Sequence, residues 1–274
     1  MSVNMADITQ SHVEEFKIKG FTKLDNFWTK EELTAIKDAL YSLQKQGKLN
    51  NVATEDDGET HTEEEKNLQL CPLMPEHLLF ESLPFVAKVG DAISKLILAD
   101  EKESCCCYLS QTFWKPAKHG LGTGWHQDNA YFKLSDGKKG TAMWTAVHDA
   151  TVENGTLHLM AGMDAEVLPH KRDLTSDHHI SCKDSVKEED AVPMKVPAGG
   201  VVFFNCNVPR CTKANETDNA RAAVAYHFVS MEVARDRQFS LPEGAQYSAP
   251  GIWGPMADTE EVEGKQNIWK KLVS

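Results

Sequence analysis

Residues 122–132 read GTGWHQDNAYF. His126 and Asp128 stand two apart, between a tryptophan and a pair of aromatic residues. On extended backbone, residues i and i+2 point to the same side, so this imidazole and this carboxylate can reach one point in space. Two imidazoles and one carboxylate on one face of an octahedron make an open metal site. His126-Gln127-Asp128 supplies two thirds of that set. A lone H-x-D also fits a solvated loop with a satisfied histidine, so the surroundings decide the reading.

From residue 105 onward, short apolar runs alternate with turn residues. They are 105–115 (CCCYLSQTFWK), 142–150 (AMWTAVHDA), 155–160 (GTLHLM), 199–208 (GGVVFFNCNV) and 220–229 (ARAAVAYHFV). Their Val, Phe, Trp, Tyr and Thr content predicts strands. Asn154-Gly155 predicts a hairpin turn between two of them. Residues 1–104 read mainly helical. Thr29 and Glu32 have capping-box spacing ahead of Leu33, Ile36, Leu40 and Leu43 on one face. Val86, Val89, Ile93 and Leu96 repeat at helical spacing after Pro84. Residues 50–66 are acidic and predict a surface loop. Residues 165–198 are polar and predict a long insertion of the kind that covers a barrel mouth. The pattern predicts an α+β chain with a mainly β core, a β-sandwich or jelly roll, behind N-terminal helices. The expected layout is one domain over 1–274: a helical part at 1–104, a β core at 105–230 and a C-terminal tail at 231–274.

Charge and composition narrow the function. The net charge is −12, and no basic stripe is available to contact phosphates, so neither nucleic acid nor an anionic membrane is an expected partner. No apolar run reaches membrane-spanning length, and the first residues lack the basic and apolar regions of a signal peptide. Seven cysteines include three in a row, Cys105-Cys106-Cys107, and no C-x-x-C. Consecutive strand residues alternate faces, so these three cannot share a partner. Reduced, buried thiols and a cytoplasmic location follow as the expectation.

Taken together, the motifs resemble the phytanoyl-CoA dioxygenase (PhyH-like) family of Fe(II)/2-oxoglutarate-dependent oxygenases. The resemblance rests on Lys115-Pro116, on Trp125-His126-Gln127-Asp128, on the strand from Trp144 to Asp149, on Asn154-Gly155-Thr156-Leu157, and on AGGVVFF at 198–204. It covers residues 105–230. It implies a cupin-like double-stranded β-helix holding Fe(II), with 2-oxoglutarate and O2 as co-substrates and a small-molecule C–H bond as the target. His126 and Asp128 would be metal ligands. Arg221 would pair with the far carboxylate of 2-oxoglutarate, a task that suits a planar guanidinium. Thr212 would touch the same carboxylate, and Trp144 would line that pocket.

One position departs from the family. The second histidine is expected eleven residues before the arginine, and Arg210 stands there. A guanidinium stays protonated and has no lone pair to donate to a metal. Cys211, His158, His170, His178, His179 and His227 are the other candidates for a third ligand. Asp128, freed from a metal, could form an ion pair with Arg210. The expectation is therefore an oxygenase that Arg210 impairs or inactivates, set against a non-catalytic member that binds a small acid as a binding or interaction module. A cupin-like protein with another metal set is a third reading. Substrate contacts are expected from Gln127, Gln111, Lys115 and Trp253, with the 50–80 loop, residues 165–195 and the tail residues Tyr247 and Met256 around the mouth.

Overall fold

The computed structural model describes residues 7–98, 100, 102–235, 254 and 257–274. Two antiparallel sheets form the centre. The larger runs β1 (Phe21–Leu24), β11 (Val201–Asn205), β6 (Gly140–Ala146), β13 (Arg221–Ser230), β4 (Cys105–Lys115), β3 (Leu68–Leu70) and β2 (Asn50–Asn51). The smaller runs β10 (Val192–Pro193), β7 (Leu157–Leu159), β12 (Arg210–Thr212) and β5 (Thr123–His126). A separate ribbon pairs β8 (Lys171–Arg172) with β9 (Ile180–Ser181).

The two sheets close on a shared apolar filling. Ala142, Trp144, Val202, Phe204, Ala223 and Ala225 of the larger sheet pack with Leu157 and Leu159 of the smaller. This is the jelly roll that the strand pattern predicts. Strand β13 is buried along its whole length because both faces are covered. Ala223 and Ala225 fill the interior, while Ala222, Val224, Tyr226 and Phe228 face a helical layer. That layer contains α2 (Lys30–Lys45) and α4 (Ala87–Ile97), whose Ile36, Leu40, Val89 and Ile93 belong to the same cluster. The expected capping box starts α2: the Thr29 hydroxyl accepts from Glu32 N at 3.3 Å, and Thr29 N donates to Glu32 at 2.8 Å. The consecutive cysteines separate as alternation requires, with Cys105 and Cys107 in the helical-side core and Cys106 in another cluster.

Several sequence expectations need correction. The N-terminal part is not only helical, because β1 and β3 extend the larger sheet beside α1 (Gln10–Lys19) and α3 (Leu78–Ser82). Strands of three or four residues are too short to show a period. Asn154-Gly155 is not a hairpin turn. Strand β6 pairs with β11 and β13, whereas β7 pairs with β10 and β12, so the turn carries the chain between sheets. Residues 231–274 are more than a tail. They contain α6 (Met231–Arg235) and α7 (Thr259–Val273), and Trp269 packs on Trp28 at 5.4 Å. No described helix is long and apolar enough to cross a membrane.

Candidate active site

His126 ends β5, and Asp128 opens the short helix α5 (Asp128–Phe132). Gln127 between them has extended backbone, φ −114° and ψ 135°. The two-residue spacing therefore works across a strand end as it would within a strand, and the His126 Nε2 lies 3.8 Å from Asp128 Oδ1. Strand β12 runs antiparallel to β5 with Arg210 directly opposite His126. Residues 126, 128 and 210 thus converge at one end of the barrel.

Arg210 does not merely approach. Its Nε donates to both Asp128 oxygens at 3.1 and 3.3 Å, and its Nη2 donates to Oδ1 at 2.6 Å. The guanidinium also lies over the Phe204 ring at 5.2 Å. From β13, His227 Nε2 lies 3.1 Å from Asp128 Oδ2. A carboxylate only accepts, so His227 carries its proton on Nε2. Burial alone would raise the Asp128 carboxyl pKa, but Arg210 and His227 beside it hold it well below the usual carboxylate range. His126 Nδ1 lies 2.7 Å from the Gly124 carbonyl, so Nδ1 donates and Nε2 faces inward with its lone pair. Burial, and then the charge of Arg210, push the His126 pKa down to about 3. The imidazole is neutral at physiological pH.

His126, Asp128 and Arg210 line a cavity of about 220 Å³, with Gln69, Gln111 and His179 also on its wall. His179 stacks on His126 at 6.4 Å with an interplanar angle of 13°. It reaches the cavity from the 165–198 segment, just before β9. Gln111 lines the cavity as expected. Gln127 does not: as the residue between two inward-facing neighbours, it points away. Its side chain donates to the carbonyls of Glu166, at 2.8 Å, and Asn207, and accepts from Leu168 N at 2.7 Å. It staples the 165–198 segment to the barrel. Trp253, Tyr247 and Met256 lie outside the described residues.

A second group of charged residues sits deeper. Arg221 is fully buried, with its guanidinium 5.6 Å from the Trp144 ring. Its Nε donates to Asn154 O at 3.4 Å, its Nη2 donates to Gly155 O, and its Nη1 has no partner. Burial lowers its pKa to about 9. Lys115 is its register partner on β4. Rather than standing at the mouth, Lys115 is 2% exposed and its ammonium donates to Leu121 O. Burial, and then Arg221, lower its pKa well below the usual lysine range. Among the described residues, no carboxylate bonds to either cation. Thr212 lies on β12 two residues beyond Arg210, and its hydroxyl accepts from Thr123 N at 3.2 Å.

Of the other candidate third ligands, His178 and His179 stay on the cavity wall, His179 stacked on His126, whereas Cys211, His158 and His170 are committed elsewhere. Cys211 packs on the outer side with Trp125, Met160 and Cys182. His158 is paired opposite Cys211, and its Nδ1 lies 3.2 Å from Thr156 O. His170 Nε2 accepts from Gln127 N at 3.1 Å, and His178 contacts Asp177. His227 does reach the site, but through Asp128. Sequence reading missed Gln69 and Tyr131 in the cavity wall. Neither carries a local signal, because Gln69 arrives from a three-residue strand and Tyr131 from a one-turn helix.

Fold and convergence define a cupin-like double-sheet barrel with a polar cluster at one end. The Phytanoyl-CoA dioxygenase (PhyH) family description matches residues 16–223, and the chain belongs to that family. A 2-aminoethylphosphonate dioxygenase from Uncultured bacterium HF130_AEPn_1 is 28% identical over 144 residues, 47% of this chain and 53% of that protein. The chain spans about half the length of the curated relatives it matches. Among solved structures, the non-heme alpha ketoglutarate dependent carbocyclase SnoK from nogalamycin biosynthesis superposes with TM-score 0.68 at 19% identity, covering 83% of this chain and 86% of SnoK. EvdO2 from Micromonospora carbonacea var. aurantiaca, complexed with 2-oxoglutarate, gives TM-score 0.63 at 25% identity, covering 81% and 91%.

The two groups that the family implies fare differently against these residues. Iron does not fit. Both Asp128 oxygens are occupied, a fixed cation stands opposite His126, and no three described His, Cys, Asp or Glu side chains form a group that could hold a metal ion. A cation in that place repels a second one, most strongly where water is excluded. For a small carboxylate a matching group is present, because Arg221 keeps a buried, unpartnered donor.

Proposed function

We propose that this chain is a member of the Fe(II)/2-oxoglutarate oxygenase family that binds 2-oxoglutarate, or a small acid like it, without iron, as a non-catalytic binding module. The orphaned Nη1 of Arg221, beside buried Lys115, carries this reading. A buried guanidinium with an unpartnered donor is costly. A carboxylate at that donor removes the cost through charge-assisted hydrogen bonds. Trp144 gives the guanidinium an aromatic face, and the Asn154 and Gly155 carbonyls fix its orientation. His126 and Asp128 persist from the family's metal set, but Arg210 turns Asp128 into half of an ion pair.

The retained His126 and Asp128 favour a second reading: hydroxylation of a small-molecule C–H bond by an iron-loaded form. The two readings separate in one experiment. Calorimetric titration of the chelator-treated protein with 2-oxoglutarate should show saturable binding that Arg221→Gln abolishes. Absence of binding until Fe(II) is added would reject the binding-module reading in favour of the oxygenase.

A further inference from the structure

We infer that Arg210 stands in for the metal as the anchor of the ligand's near carboxylate, so that the cavity selects dicarboxylic 2-oxo acids over acids with one carboxylate. This inference rests on the small-acid reading above and adds what the other end of the ligand touches.

The argument starts from the way Arg210 is used. A guanidinium carries five N–H groups and offers two carboxylate-binding edges, a side edge and an end fork. Asp128 takes the side edge, through Nε and Nη2. That leaves the end fork, made of Nη1 and the outer hydrogen of Nη2. Among the described residues nothing accepts from Nη1, and Arg210 forms part of the cavity wall. The fork is also held still. Phe204 packs against the guanidinium at 5.2 Å, and the Asp128 that grips its side edge is itself fixed by His227 at 3.1 Å. An arginine pre-positioned in this way loses little freedom on binding.

The charge balance permits a second carboxylate. Asp128 neutralises part of the guanidinium field, but a carboxylate on the end fork sits closer to the guanidinium carbon than to Asp128. Coulomb energy falls with distance, so attraction exceeds repulsion. Cavity size points the same way. About 220 Å³ is below the range usual for drug-sized ligands, and suits an acid of a few carbons. Phe113 and Leu109 on the wall can cover its methylene groups, and Gln111 can meet a ketone.

The test compares 2-oxoglutarate with levulinate, which keeps the ketone and far carboxylate but carries a methyl group where 2-oxoglutarate has its near carboxylate. Both are titrated calorimetrically into chelator-treated full-length protein. Wild type should bind 2-oxoglutarate at least about tenfold more tightly than levulinate. Arg210→Met should reduce that preference to within about twofold. Because the single variant strands a buried Asp128 and can fail to fold, Arg210→Met with Asp128→Asn serves as the charge-neutral second variant, with the same collapse expected. Equal binding of the two acids by wild type, or a preference that survives in the folded double variant, overturns the inference and leaves the small-acid reading intact. If wild type binds neither acid, both fall.

Discussion

Arg210 decides the chemistry because of what a guanidinium cannot do. A histidine at position 210 would offer a lone pair, whereas arginine offers only donors, and Asp128 accepts them. An ion pair of this kind has a definite energetic signature. Removing one partner leaves a buried charge uncompensated, at about 3–5 kcal/mol, whereas removing both charges together costs far less. Arg210→Met should therefore lower unfolding stability by about 3–5 kcal/mol in urea melts. Adding Asp128→Asn should restore about 2 kcal/mol or more, because asparagine still accepts from His227 without a charge. A double variant no more stable than the single would mean that the pair carries no such coupling.

At the level of elements, the turn at 154–155 shows how local geometry serves the deeper pocket. Gly155 has φ +77°, and its carbonyl and that of Asn154 receive the Arg221 guanidinium. A Cβ there would lie 2.1 Å from the Lys213 carbonyl oxygen. The neighbouring atoms, all from residues 213 and 214, are backbone and have little room to yield. Gly155→Ala should destabilise the fold by more than about 1 kcal/mol, read by thermal melting, and should weaken 2-oxoglutarate binding by moving the carbonyls that orient Arg221. Stability unchanged in this variant would show that the turn is not constrained in this way. The same turn shows where sequence reading stops. Asn-Gly correctly marks a reversal, but turn chemistry does not reveal which sheet the next strand joins. That depends on inner faces that meet only in the folded chain.

For the whole molecule, what could be read depended on the range of the signal. Strand β4 and the capped helix α2 were legible at their true places because long periodic runs and caps are local. The approach of residues 126 and 128 was legible from their spacing, whereas Arg210 joined them only through the family resemblance. The three-residue strand β3 and the wall residues Gln69 and Tyr131 were not legible, because packing rather than periodicity sets them. Lys115 and Gln127 show the other limit. Sequence placed both near the site, yet alternation turned Gln127 away and pairing with Arg221 drew Lys115 inside.

The central claim is that an ion pair stands where the family places a metal. Its most direct test is anaerobic Fe(II) titration, with 2-oxoglutarate present, of wild type and Arg210→His, following the visible metal-to-ligand absorption band. The variant should develop the band and bind Fe(II) at least about a hundredfold more tightly than wild type, since ligand count and local charge both change in the metal's favour. Wild type that develops the same band at the same Fe(II) concentration as the variant would contradict the account.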